Sequence, residues 1–276
     1  MGAVGRSRAS ATPGGSSDQA IGFPLDESYR GVLRHLSGVQ KPAARSAPAY
    51  SRFVNRRLGR YLAAWAYRAG LTPNAVTGIS AVWTFSGILL LALFPPSWAL
   101  GLTVTLCLVI GYAFDSADGQ VSRLRRSSSA AGEWLDHVVD AIKVSMMPIA
   151  LVVGFYRFEV VPVGWLLVPL AFTIVSAVMF FAMILTEQLR RPLNAVPLAE
   201  DRPGRPSWIR ALLVAPMDYG VLCLSFLFLG WIPGFVVVYT AIFVGTSAFL
   251  LLALIKWFRE LSSFTAAPPD RLPARP

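Results

Sequence analysis

Residues 115–140 read DSADGQVSRLRRSSSAAGEWLDHVVD, and the reading of this stretch decides the fold. It carries four aspartates in two pairs, Asp115 with Asp118 and Asp136 with Asp140. The first pair closes an apolar run that begins near Ser97, and the second opens one that continues to about Tyr156. Helices over both runs place Asp115 and Asp118 at i,i+3 and Asp136 and Asp140 at i,i+4, so each pair shares one face. The short segment between the runs then folds the two acidic faces toward each other. Four carboxylates held together repel, and hard oxygens with that much negative charge suit one or two divalent cations. Mg2+ is the expected ion and Mn2+ the second choice. Charges at membrane depth cost roughly 2.5 to 3.5 kcal/mol each on insertion scales, so four in register require compensation by metal or substrate.

The other residues of the stretch suit phosphate chemistry. Gly119 leaves room for a ligand to approach the backbone. Arg123, four residues on, offers a planar fork that grips phosphate. Gly132 lies four residues before Asp136 on the same helical face and leaves a notch beside the acids.

The pattern Asp115, Asp118, Gly119, Ser122, Arg123, Gly132, Asp136 and Asp140 resembles the signature of the CDP-alcohol phosphatidyltransferases. These are integral membrane enzymes that move a phospho-alcohol from a CDP carrier to a hydroxyl. One position departs, with Ser122 where the family usually has Ala. The resemblance implies metal ligation by Asp115, Asp118, Asp136 and Asp140, with Asp140 as general base. It also implies that Gly119, Ser122, Arg123 and Gly132 contact the nucleotide end of a CDP-alcohol donor. The string Thr72, Pro73, Asn74 and Thr77 resembles the family's entrance to its first span, which adds Asn74 to the nucleotide contacts. An acceptor hydroxyl, on a lipid or on a polar alcohol or phosphate, completes the expected reaction, and CMP leaves. Phospholipid or related polyol-phosphate synthesis is the expected setting, and a homodimer joined through the spans is the expected assembly. A cation transporter or channel that uses its intramembrane acids is the alternative. It leaves the glycines and Arg123 without a purpose.

Composition supports the membrane reading. The chain has 276 residues, 55% of them hydrophobic and only 14% charged, with a mean hydropathy of +0.55, which is unlike a soluble domain. Apolar runs near 75–94, 97–118, 132–156, 162–186, 211–231 and 234–257 each approach the length that crosses roughly 30 Å of hydrocarbon. The expectation is therefore an all-α polytopic membrane protein with six transmembrane helices. The net charge of +10 does not indicate nucleic acid, because it is distributed by topology. All Lys and Arg except Lys143 and Arg157 fall on the side shared by both termini and the motif. The positive-inside rule puts that side in the cytoplasm of a cell-membrane protein, where basic residues meet anionic lipid headgroups.

Around this domain, 51–260, the sequence predicts a largely disordered segment over 1–50 and a disordered tail over 261–276. A peripheral helix is expected within Asp26–Val39. Residues 51–69 predict a juxtamembrane amphipathic helix, with Phe53, Leu58, Leu62, Trp65 and Ala66 toward lipid and the arginines toward headgroups. Gly70 reads as a helix stop, and Thr72-Pro73 as the start of the next helix. Lys143, three residues after Asp140, pairs with a carboxylate or binds an anionic substrate. Asp218 is expected to line the acceptor pocket, and His137 to make a structural hydrogen bond. Basic residues of the 187–210 loop follow topology or bind an acceptor phosphate, and Cys107 and Cys223 are plain core residues.

Overall fold

The computed structural model describes residues 28–39, 48–193 and 215–265. Of the two tails expected to be largely disordered, residues 29–39, 49–50 and 261–265 are helical. Apart from residues 28 and 48, the remainder of both tails lies outside the described residues, as does the basic loop beyond Leu193. The described residues form α-helices with short 3-10 and π turns and no strand: α1 Tyr29–Val39, α2 Arg56–Arg68, α3 Pro73–Leu93, α4 Trp98–Arg125, α5 Ala130–Arg157, α6 Leu167–Arg190, α7 Tyr219–Ser225 and α8 Ile232–Thr265.

Local signals set the helix boundaries. Gly70 takes φ +75°, the left-handed conformation that ends α2 without steric cost. Thr72 then caps α3, its Oγ1 accepting from Ala75 N at 3.2 Å with Pro73 at the first helical position. Ser97 caps α4 and Ser129 caps α5 in the same manner, accepting from Leu100 N and Gly132 N. The hairpin between α4 and α5 spans only residues 126–129, so the two helices run antiparallel.

Among the described residues, five helices are long and apolar enough to cross a membrane: α3, α4, α5, α6 with the turn before it, and α8. The sixth span expected over 211–231 is not confirmed: residues 211–214 lie outside the described residues, and the rest form a shorter, broken helical segment. A 3-10 turn at Ala215–Met217 precedes Asp218, which caps α7, and a second 3-10 turn, Phe226–Gly230, ends the segment. Helical residues Tyr219–Gly230 reach only about 20 Å, at ~1.5 Å per α-helical and ~2 Å per 3-10 residue, short of a bilayer core. Hydropathy counts apolar residues, whereas Pro216 and the Asp218 cap delay the start of the helix. The short segment holds its place by packing along α4. Thr105 Oγ1 donates to the Cys223 carbonyl at 3.2 Å, and Gly101 of α4 approaches the Phe226 carbonyl so closely that a Cβ there would stand 2.6 Å from it.

Two apolar cores flank the level of the acids. One is built by Leu91, Leu108, Leu151, Phe155, Phe226 and Phe235 in the half of the bundle away from the α4–α5 hairpin. The other joins α1 and α2 to α3 and α4 through Val32, Leu36, Ala63, Ala64, Val76 and Val121. Helix α2 falls within residues 51–69, after a π turn over Ser51–Asn55, and Ala66 is fully buried in that second core rather than facing outward. Its small residues make the contact: Gly59 approaches Ser116 of α4, and Phe53, Leu58, Tyr61 and Trp65 point away from the protein. Cys107 and Cys223 are free and buried, as expected of core residues.

Close helix approach depends on glycine. A Cβ on Gly154 of α5 would collide with the Leu91 carbonyl of α3. Gly154→Ala is therefore expected to destabilise the bundle by about 1–3 kcal/mol, the usual cost of overpacking, and to lower the midpoint of thermal unfolding in detergent. Gly78→Ala, where nothing lies within 4 Å, should not lower it.

Candidate active site

Asp115 stands ten residues before the end of α4 and Asp140 ten residues after the start of α5. Both therefore lie about 15 Å from the hairpin at ~1.5 Å per residue, on antiparallel helices, at matching depth. Among the described residues, Asp115, Asp136 and Asp140 each offer a carboxylate oxygen within 4.8 Å of the others. The fourth acid is turned aside. Asp118, 7% exposed, accepts from Thr77 Oγ1 of α3 at 2.6 Å and from Gly119 N at 2.5 Å.

Lys143 enters the cluster from α5, 4% exposed. Its Nζ donates to Asp140 Oδ1 at 2.9 Å and to Asp115 Oδ1 at 2.5 Å, with Ser80 Oγ at 3.4 Å. The reading of Lys143 as a partner of the acids is thus the one the structure shows. One ammonium against four carboxylates leaves a surplus of negative charge on hard oxygens, the donor set that a divalent cation requires. The residues fit such an ion, and Asp115, Asp136 and Asp140 already bring oxygens within 4.8 Å of one another.

Two cavities meet at the acids. The first, of about 370 Å³, lies at the hairpin end and is lined by Asn74, Thr77, Asp118, Gly119, Ser122, Gly132 and Asp136, with Ser127, Ser128 and Ser129 from the loop. It gathers every nucleotide-contact residue expected from sequence except Arg123, whose side chain is exposed. The Arg123 guanidinium lies 3.6 Å from where a Gly119 Cβ would stand. The notch at Gly132 is present: a Cβ there would press on Ser129 Oγ at 3.1 Å and Asn74 Oδ1 at 3.2 Å. The second cavity, of about 320 Å³, opens on the other side of the cluster and has Asp115, Asp140 and Lys143 in its wall.

Asp218 lines that second cavity, and it also has a structural task. Its carboxylate caps α7, accepting from Gly220 N at 3.1 Å, and accepts from Tyr50 N at 2.8 Å. Burial, with smaller effects of Cys223 and Asp218, pushes the Tyr50 hydroxyl above the ordinary tyrosine range, so it stays protonated at neutral pH. His137 differs from the expected structural hydrogen bond. Its nitrogens stand 3.7 Å from Glu133 and 3.9 Å from Asp136, and its ring meets Phe180 edge-on. Sequence reasoning gave no signal for Ser80 or Tyr112, because their placement depends on packing between helices far apart in the chain.

The Thr77 hydroxyl is the one side-chain donor to Asp118 among the described residues. Thr77→Val should destabilise the protein by about 1.5–3 kcal/mol, the range for a hydrogen bond to a charged group, and Thr77→Ser by less. Thermal unfolding of the three proteins side by side measures the difference.

The family model described as CDP-alcohol phosphatidyltransferase matches residues 70–252, a range that holds both acidic pairs, both cavities' walls on α3 to α6, and the short α7. No curated protein sequence matches the chain. The matched range covers well over half of the 276 residues and brackets the acids that the geometry singles out, and on that footing the chain belongs to the CDP-alcohol phosphatidyltransferase family, a family of transferases.

Proposed function

We propose that this protein transfers a phospho-alcohol group from a CDP-alcohol to an acceptor hydroxyl, in a metal-dependent reaction that releases CMP and serves phospholipid or related polyol-phosphate synthesis. The observation that carries the reading is the convergence of Asp115, Asp136 and Asp140 within 4.8 Å, between two cavities that each open onto them.

Asp115, Asp118, Asp136 and Asp140 are the residues that would hold Mg2+, or Mn2+ in its place. When bound, the ion neutralises the diphosphate and the charge that develops on departing CMP. The chain's own groups do the rest. The hairpin-end cavity takes the CDP half, with Gly119 and Gly132 leaving room for phosphate and ribose and the Asn74 and Ser122 side chains offering hydrogen bonds. Arg123 stands at its edge beside Gly119 and steadies the phosphate charge.

The acceptor oxygen attacks the phosphorus that carries the alcohol, the bond to the CMP oxygen breaks, and the acceptor proton passes to Asp140. Asp140 suits this role because Lys143 holds its Oδ1 and so fixes the carboxylate that takes the proton. Family membership favours this transfer over the competing reading, a cation pathway through the acids. The topology belongs to the same proposal: a cell-membrane protein with both termini and the hairpin on the cytoplasmic side, where Arg123, Arg125 and Arg126 cluster. So do the homodimer joined through the spans and the division into a membrane domain over 51–260 with flanking tails.

Purified protein supplied with CDP-alcohols and acceptors should release CMP in Mg2+, lose that activity in EDTA and regain it when Mg2+ is restored. Asp140→Asn should lower the rate by about 10²–10⁴-fold, the usual contribution of a positioned base, and still bind CDP-alcohol. Turnover of the Asn variant at the parent rate would remove Asp140 from this role. Metal-independent ion flux in proteoliposomes, with no CMP formed, would favour the pathway reading.

A further inference from the structure

Asp218 joins two helix starts. Its carboxylate accepts from Gly220 N of α7 at 3.1 Å and from Tyr50 N at 2.8 Å, and it accepts from the Ser51 backbone N–H as well. Residues 49 and 50 begin the helix that leads through the π turn into α2, so the Tyr50 and Ser51 amides are first-turn donors that an α-helix leaves for another group to satisfy. The Tyr50 ring lies over Gly220 and stacks on Tyr112 of α4. The Ser51 hydroxyl is hydrogen-bonded to the Tyr112 hydroxyl. At 1% exposed, Asp218 is sealed into this junction.

The π turn is what aims Tyr50 and Ser51 at Asp218 and α4. Arg52 N donates to the Pro48 carbonyl at 2.9 Å, an α-helical bond. Arg56 N instead reaches back five residues to the Ser51 carbonyl, so that turn holds one residue more than an α-helical turn. Asn55, Gly59 and Ala63, buried and four residues apart, mark the face packed on the protein. Continued as an α-helix, that face would run on through Arg52, and Tyr50 would fall on the opposite side. The extra residue rotates the first turn by about 100°, so Ser51 takes the place of Arg52 and Tyr50 comes to Tyr112. Turns of this kind occur frequently at functional sites.

The wall that this junction holds belongs to one cavity. Tyr112, Asp218 and Tyr219 line the deeper cavity together with Asp115 and Asp140, and the hairpin-end cavity is lined by other residues. Helix α7 has seven residues, too few to hold itself in place, so its position depends on contacts at its first turn. We propose that Tyr50 and Ser51 are positioning residues for the acceptor. By holding Asp218 and Tyr112 in the wall of the deeper cavity, they set how tightly an acceptor is held against the acids, and they leave the CDP half in the other cavity unaffected. They act through the wall and not on the reacting atoms. The proposal rests on the transferase reading, which puts the CDP half at the hairpin end, and it makes the segment ahead of the spans part of the acceptor site.

The test compares the full chain with Tyr50→Ala, Tyr50→Phe and a control from the outward side of the same turn, Phe53→Ala, where Phe53 is 54% exposed. CMP release is followed with CDP-diacylglycerol and CDP-choline as donors and with serine, polyol phosphates and diacylglycerol as acceptors, and the acceptor KM is taken for the pair that the parent turns over. Tyr50→Ala should raise that KM about tenfold with a smaller change in kcat, the pattern of lost binding. The Kd of CDP in Mg2+, measured by calorimetry, should stay within about twofold, since the hairpin-end cavity keeps its contacts. Tyr50→Phe, which keeps the ring, should restore the acceptor KM, and Phe53→Ala should not move it. Gly220→Ala, whose methyl group displaces the Tyr50 ring from the other side, is the second variant where Tyr50→Ala does not fold. An unchanged acceptor KM in Tyr50→Ala, or equal loss of acceptor and CDP binding, overturns the proposal.

Hydrogen exchange separates this inference from the reading beneath it. The backbone amides of α7 should exchange about tenfold faster in Tyr50→Ala than in the parent, as local opening of a released element does, with α3 and α5 unchanged. Unchanged exchange in α7 overturns the positioning role and leaves the transferase standing. No CMP from the parent with any pair overturns the transferase, and faster exchange confined to α7 then leaves the hold of Tyr50 and Ser51 on the cavity wall standing.

Discussion

The Lys143 ammonium between Asp115 and Asp140 is the contact on which the arrangement turns. Carboxylates on apolar helices lose hydration that neighbouring methylenes cannot replace, and like charges within 5 Å add repulsion to that loss. A buried ion pair offsets both only if its geometry is good and its remaining protons are satisfied. Here Ser80 of α3 stands 3.4 Å from the same ammonium, and Ser80 is in turn fixed by donating to the Gly111 carbonyl of α4 at 2.8 Å. That bond needs α3 and α4 in close contact, which Gly111 permits, since a Cβ at that position would collide with Thr84. The charge balance of the site and the spacing of three helices are therefore one constraint. Loosening the packing would expose the acids, and removing the ammonium would leave them to drive the helices apart.

What was legible in the sequence was local. The i,i+3 and i,i+4 spacing of the acids, the short serine-rich hairpin and the Gly70–Pro73 punctuation each act within a few residues, and each appears as read. For Asp118, spacing alone assigns a face, not a partner. The hydroxyl that turns it aside is on Thr77, 41 residues away. The run over 211–231 looked like a span because its composition is apolar. Its path is set instead by Asp218 as a cap and by the contact of Gly101 with the Phe226 carbonyl, neither of which a hydropathy window contains. Ala66 shows the same limit on a smaller scale. In a helix with small residues on one face and aromatic residues on the other, the small face seeks a neighbouring backbone, so Ala63, Ala64 and Ala66 turn inward.

The acids also work as a partition. Asp118 and Asp136 face the hairpin-end cavity, whereas Asp115 and Asp140 face the deeper one. A group transferred between two substrates must meet both at one point, and a shared wall of charged residues supplies that point without merging the two binding spaces. The linings differ: serine and glycine are prominent in the hairpin-end cavity, methionine and phenylalanine in the deeper one.

The segment ahead of the spans takes part in the same wall. The Tyr50 ring lies so close to Gly220 that a Cβ there would overlap it, stacks on Tyr112 at 6.2 Å, and Tyr112 meets Tyr219 edge-on at 5.0 Å. Tyr112 and Tyr219 line the deeper cavity, and the Tyr50 backbone is tied to Asp218. A polar segment before the first span thus braces the short α7 against α4 at the level of the acids. Because α7 is too short to be held by the membrane along its length, this aromatic brace fixes where it begins. The position of Asp218 and Tyr219 at the cavity wall follows from that brace rather than from the hydropathy of the segment that carries them.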